Sequence, residues 1–500
     1  MTSQRHVGVV LGYVNIVAKN LVNLIYTPML LAFVGQADYG VYQTSYSFVF
    51  TLTLLSFGFS QAYVRFFTQK KRHGTRADIC RLNGIYLTLY TIVSAAALLL
   101  GLGFAANAGV FFSDSFTSTE VDLARLTMSI MSGSIAVSLF SSIFDAYILA
   151  HEKFRFQQSR QLLATLATPF CAYVLLLFGM GVVGVAVAQL FVNVVLLLLN
   201  ASFCIGRLEM RFDVRHFDTG LFREVAVFST WLFANQIFEL VNQNVPNILL
   251  GALTSATTVA VFAVSIQIRT VFFSLSTTMS NVFIPKINQM VAESDDNAAL
   301  TQLMTRIGRY QAILYMWILG GFALLGHFFI VAWAGPEFKD AYWLILAMVI
   351  PLFIPLVQNA GIEIQRAKNR HMARSVCYLI TAILNIVITV VMAPQIGCWA
   401  AALGFIVHCI FGTGIFMNWY YQKKIGLNMG YFWRHVLPIV GIGVLTTTLC
   451  LLGTHYLPVA DWFYFAVWGI AYSLAYLGFT SAFILTESER RTIIHMLRRA

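Results

Sequence analysis

Two apolar runs, Gly8 to Val34 and Val41 to Val64, are separated only by Gly35-Gln36-Ala37-Asp38-Tyr39-Gly40, which leaves this chain few folds to choose from. A helix needs about 20 residues to cross a hydrocarbon layer of about 30 Å, and each run exceeds that. The pair reads as a transmembrane hairpin. Its first helix is striped: Gly8, Gly12, Asn15, Lys19, Asn23 and Tyr26 recur at steps of three or four and so share one face. A lysine near the middle of a membrane helix costs about 3 kcal/mol on insertion scales, so this face is expected to look onto water or other helices rather than lipid.

The pattern returns about 220 residues later. Val225 to Leu250 and Thr257 to Val282 form a second expected hairpin, again with a polar first helix that contains Asn235, Glu239, Asn242, Gln243 and Asn244. At a shift of 220, Asn15 falls on Asn235, Lys19 on Glu239, Val41 on Val261 and Ser45 on Ser265. A second echo, at a shift of 216, sets Gly181-Val182-Val183-Gly184 against Gly397-Cys398-Trp399-Ala400. Small residues there permit a tight turn and close helix approach, and internal repeats of this kind are common in transporters.

The rest of the chain is as apolar as its opening: 59% hydrophobic, 11% charged, mean hydropathy +0.75. These values indicate an all-α polytopic membrane protein and leave no stretch long enough for an ordinary soluble catalytic domain. The first apolar run lacks the pattern of a cleaved signal peptide and is expected to be retained. About fourteen spans are predicted, starting near residues 8, 41, 84, 125, 161, 182, 224, 257, 311, 341, 375, 397, 435 and 462.

With these spans, 28 of the 32 lysines and arginines fall in loops on one side. The other side holds Arg125 and Lys339, and the membrane interior holds Lys19 and Arg269. The positive-inside rule makes the basic side, and both termini, cytoplasmic. The net charge of +11 is thus a topology signal, and no nucleic-acid-binding motif accompanies it. The seven cysteines include no CxxC pair, so neither a disulfide framework nor a zinc site is expected, nor any cofactor. His327 and His408, within spans, read as packed polar residues.

The charged stretch 207–223 divides the chain. The expected organisation is an N-terminal bundle of six spans (1–206), a cytoplasmic linker (207–223), a second bundle of six (224–430) and a C-terminal pair of spans with a tail (431–500).

The stretch Phe33-Val34-Gly35-Gln36-Ala37-Asp38-Tyr39-Gly40-Val41-Tyr42, with Leu55-Ser56-Phe57-Gly58-Phe59 and Val64-Arg65-Phe66, resembles the opening hairpin of bacterial polysaccharide, or O-antigen-type, flippases. Leu384-Asn385-Ile386, Ala393-Pro394-Gln395-Ile396-Gly397 and Gly335-Pro336-Glu337-Phe338 extend the resemblance over nearly the whole chain. That family belongs to the multidrug/oligosaccharidyl-lipid/polysaccharide exporter superfamily. The resemblance implies two pseudosymmetric bundles around a central cavity, and alternating access that carries undecaprenyl pyrophosphate-linked oligosaccharide from the cytoplasmic to the outer leaflet of the bacterial inner membrane. It also implies membrane lipids, a polysaccharide polymerase and chain-length machinery as partners, and coupling to H+ or Na+.

A pyrophosphate-linked glycan needs cations along its path through hydrocarbon. Lys19 and Arg269 are assigned to pyrophosphate or acidic-sugar contact, with an internal ion pair such as Lys19 to Glu239 as the alternative. Arg65 is placed at the cytoplasmic end of span two, to meet the headgroup or anchor topology. Asn15, Asn23, Asn235, Asn242 and Gln243 are expected to line the cavity. Glu239 either binds the coupling ion or balances a cation, and Asp145 and Glu363 are candidate gate residues. Two other functions compete. A multidrug cation antiporter of the same superfamily would favour a carboxylate where Lys19 stands. A glycan polymerase or glycosyltransferase would need an external catalytic loop, yet the longest outward segment, near 108–123, offers only Asp114, Glu120 and Asp122.

Overall fold

The structure, a computed structural model, describes residues 2–56, 58–214, 220, 222–225, 244–281, 283–294, 296–368, 370 and 372–485. Among them every regular element is helical, and twelve helices are long and apolar enough to cross a membrane. Two of the fourteen expected spans are not counted separately for identifiable reasons. The first candidate, 14–72, is 59 residues long, near three times the length of one crossing. It breaks at Gly35, with φ of 77°, and again at Gly58, with φ of 68°, conformations that cost glycine little. The seventh expected span falls mostly on 226–243, outside the described residues, and only its last turns appear as the helix Asn244–Leu253.

The helices divide into two compact units, 1–260 with 393–397, and 261–392 with 398–500. In the first unit the elements are α1 (Thr2–Phe50), α2 (Phe59–His73), α3 (Arg76–Ala106), α4 (Ala108–Phe112), α5 (Ser118–Ala150), α6 (Phe154–Leu177), α7 (Gly181–Ser202) and α8 (Asn244–Leu253). Capping boxes start α3, at Thr75 with Asp78, and α5, at Thr117 with Glu120. Two of the outward acids are thus structural: Glu120 caps a helix and Asp122 pairs with Arg125 at 2.9 Å.

Helices α5 and α7 are joined by two polar contacts seven residues apart on each. Asn193 donates to the Ser134 hydroxyl at 2.8 Å and Asn200 to that of Ser141 at 2.9 Å. Seven residues is two turns, so a single seam holds both pairs in register. Asn200 also donates to Asp145 at 2.9 Å, and Arg160 completes the cluster by pairing with the same carboxylate. Asn200→Leu removes the donor from two acceptors at once. It is expected to lower stability by about 1–2 kcal/mol, read as a lower melting temperature in detergent, whereas Ser202→Ala on the exposed side of α7 leaves it unchanged.

The second unit contains α9 (Ala256–Asn281), whose first turn belongs to the first unit, followed by α10 (Ile284–Glu293), α11 (Asn297–Ala334), α12 (Ala341–Val357), α13 (Asn359–Ala367), α14 (Met372–Ile396) and α15 (Trp399–Val407). Then come α16 (Met429–Tyr456) and α17 (Trp462–Phe479). After α15 the chain continues in a wider π-helical winding over His408–Met417. At 38 residues, α11 is about 57 Å long, so it outreaches the bilayer. It is the post on which the last two spans lean. Tyr472 and Tyr476 of α17 donate to the Met316 and Ile313 carbonyls at 3.1 and 2.9 Å. Gly308 lets the Phe432 ring of α16 approach so closely that a Cβ there would stand 2.7 Å from it.

Candidate functional site

The stripe on α1 divides into two parts. Asn15 is buried and donates to the backbone and side-chain oxygens of Gln158 on α6, both at 2.8 Å, with Gly12 beside the same glutamine. Of the residues expected to line the cavity, Asn15 thus uses its Nδ2 in packing within one unit, where helix approach is driven by such hydrogen bonds. Farther along α1, Lys19 and Asn23 are exposed. Among the described residues no carboxylate pairs with Lys19. Its expected alternative partner, Glu239, lies outside the described residues, as do Asn235, Asn242 and Gln243.

Helix α2 carries a polar face of which sequence reading singled out Arg65, for headgroup contact or as a topology anchor. Gln61, Arg65, Thr68 and Arg72 follow one another at steps of four, three and four, so they line one side of the helix, and all four are exposed. With Val64 and Gln69 they border an open groove of about 460 Å³. Arg65 lies 5.9 Å from the Phe66 ring. The seven-residue spacing of Arg65 and Arg72 was a usable signal, because it places two guanidiniums on one stripe.

Arg269 sits midway along α9 in the second unit, half-buried. Its guanidinium stacks 4.2 Å from the Phe405 ring centroid on α15, and Nη1 lies 3.8 Å from the Met348 sulfur on α12. Among the described residues no carboxylate lies within ion-pair distance of it. A stacked cation of this kind gains about 0.5–2 kcal/mol from the ring, short of what an isolated buried charge costs. The arginine is therefore held in place but not neutralised, and an anionic ligand would complete it. Phe405 and Met348 were not foreseen, because nothing in a one-dimensional pattern brings residues 269, 348 and 405 together.

Neither candidate gate acid is free. Asp145 is engaged by Arg160 and Asn200 within the α5, α6 and α7 packing, and Glu363 by Arg366 at 2.8 Å on its own helix. Among the described residues no group of His, Cys, Asp and Glu side chains is arranged to hold a metal ion.

The family model described as polysaccharide biosynthesis protein matches residues 8–291. Among solved structures, the chain is similar to the lipid II flippase MurJ in its inward closed conformation, with a TM-score of 0.76 at 14% identity over 95% of this chain and 98% of that one. It is also similar to an inward-facing multidrug resistance MATE family transporter of the MOP superfamily, with a TM-score of 0.62 at 15% identity over 82% and 94% of the two chains. A MATE transporter of Vibrio cholerae matches with a TM-score of 0.54 at 12% identity over 85% and 99%. At these identities the likeness is one of fold. Among curated proteins, none matches the sequence at a significant level.

Proposed function

The chain belongs to the polysaccharide biosynthesis protein family, and from that premise we propose that it moves undecaprenyl pyrophosphate-linked oligosaccharide repeat units across the bilayer by alternating access. The direction in this reading is from the cytoplasmic to the outer leaflet of a bacterial inner membrane, in service of capsule, O-antigen or exopolysaccharide synthesis. The observation that carries it is Arg269, a cation midway along a membrane helix, stacked on Phe405 with no described carboxylate to balance it. Such a group suits a phosphorylated cargo, and repels the organic cations that a multidrug antiporter exports. Lys19 and Arg65, both exposed and on the first unit, add to the same cationic character. Asn23 joins them as a polar lining residue.

The remaining assignments belong to this reading as well. They include the bundles at 1–206 and 224–430 with their linker and the C-terminal pair, both termini in the cytoplasm, and transport rather than catalysis. Glu239 serves as coupling-ion site or charge partner, and a polymerase with chain-length machinery receives the cargo. A strain lacking the protein is expected to accumulate lipid-linked oligosaccharide on the cytoplasmic face and to lose surface polymer. Mass spectrometry of the membrane lipids, with surface glycan measured alongside, checks this. Unchanged intermediates and unchanged glycan in a strain with no second flippase would refute it.

A further inference from the structure

Arg269 is one end of a longer arrangement within the second unit. Near the start of α14, the Arg374 guanidinium lies 4.7 Å from the Tyr378 ring centroid, one turn farther along that helix. Tyr378 meets the His408 ring edge-to-face at 4.7 Å. His408 in turn lies 6.5 Å from Phe405, the ring on which Arg269 stacks. Two arginines thus flank one histidine, each one aromatic ring away.

The surroundings leave the two arginines of this row unbalanced and the row accessible. Arg374, Tyr378, His408, Phe405 and Arg269 are all partly exposed. Among the described residues no carboxylate pairs with Arg374, His408 or Arg269, and Glu363 is engaged by Arg366. Thr381 hydrogen-bonds His408 Nδ1 at 2.8 Å, which orients the ring and leaves Nε2 without a described partner. His408 also opens the π-helical stretch His408–Met417, a winding that recurs at functional sites because it displaces side chains from the ordinary helical register.

We propose that Arg374, His408 and Arg269 form a stepped track for a pyrophosphate group borne on a polyprenyl lipid, received at Arg374 near the start of α14 and passed by His408 to Arg269. The proposal rests on the transport reading above and adds Arg374 and His408 to it. A pyrophosphate carries more charge than a monophosphate and offers more acceptor oxygens, so each guanidinium of the row holds it more strongly.

The test is equilibrium binding of farnesyl pyrophosphate to the purified full-length protein in phosphatidylcholine nanodiscs. Farnesyl monophosphate and inorganic pyrophosphate are run beside it, and a second set of nanodiscs contains phosphatidylglycerol. Arg374→Gln and His408→Gln are each expected to weaken farnesyl pyrophosphate binding about tenfold, the loss of one charge-assisted contact, and to change farnesyl monophosphate binding far less. Arg374→Lys, which keeps the charge, is expected to retain most of the affinity and shows that a weakened Gln variant has not merely misfolded. If both Gln variants bind farnesyl pyrophosphate like the wild type while Arg269→Ala does not, the track is refuted and the transport reading stands. If the wild type binds no farnesyl pyrophosphate, both fall. Inorganic pyrophosphate binding as tightly as the farnesyl compound, or phosphatidylglycerol abolishing binding, also overturns the proposal. The first assigns the row to a free anion and the second to bulk lipid headgroups.

Discussion

Arg269→Ala is expected to reduce surface glycan export below about a tenth of its wild-type level, the scale set by the loss of one charge-assisted contact, without lowering the amount of protein in the membrane. Both halves of that expectation have the same physical origin. An arginine at the centre of a membrane helix costs about 2.5–3.5 kcal/mol on insertion scales, and its stacking on Phe405 at 4.2 Å returns only about 0.5–2 kcal/mol. Removing the side chain therefore leaves insertion no worse. What disappears is the cation that an anionic cargo would meet. Arg269→Lys keeps the charge but loses the planar fork and much of the stacking, so export should fall to an intermediate level. Surface polymer quantified against membrane abundance by immunoblot checks both variants. Full export by Arg269→Ala would remove the residue from the transport path.

A disulfide between positions 44 and 251 is expected to stop transport when oxidised and to restore it when reduced. The first hairpin and the segment around α8 are packed within the first unit through very small groups. A Cβ at Gly251 would stand 3.2 Å from the Thr44 Cβ, close to the 3.5–4.5 Å separation that a disulfide requires. Gly40 fits against the Ala256 backbone so tightly that any side chain there would overlap it, Ser115 donates to the Gly251 carbonyl at 2.7 Å, and Asn247 donates to Ser47 at 3.1 Å. On the bundle boundaries proposed above, with α1 in 1–206 and α8 in 224–430, alternating access parts this contact once per cycle, so a covalent tie across it holds the cycle in one state. The measurement compares export by the Thr44→Cys, Gly251→Cys double variant with and without reductant, with each single variant as control. A fully cross-linked protein that still exports at the wild-type rate would show that this contact stays closed throughout the cycle.

Much of the candidate site was hidden from the sequence for a reason that its own residues illustrate. Lys19 and Arg269 were legible because a charge inside an apolar run is conspicuous against hydrocarbon. Asn15 carried the same kind of signal, and its Nδ2 donates to Gln158, 143 residues away. Polar residues in membrane helices report that a partner exists and leave open whether it is another helix, water or a ligand. His408 was read as a packed polar residue. It does pack, through Thr381, and it also stands between two guanidiniums.

By itself, the sequence determined that this protein is a bundle of membrane helices, where nearly all of them run, and where the chain turns sharply. Hydrocarbon admits only helices of a certain length, and tight turns need glycine. Gly181 and Gly397, matched by an internal shift of 216, both adopt positive φ, of 53° and 58°. The tertiary structure alone decided which polar side chains are spent on one another and which remain open. It buried Asn15 and paired Asp145 with Arg160 within the first unit, left Lys19 and Arg65 exposed there, and in the second unit held Arg269 against Phe405. Burial and pairing depend on contacts between residues tens to hundreds of positions apart, and helical periodicity specifies only a face, never what that face meets.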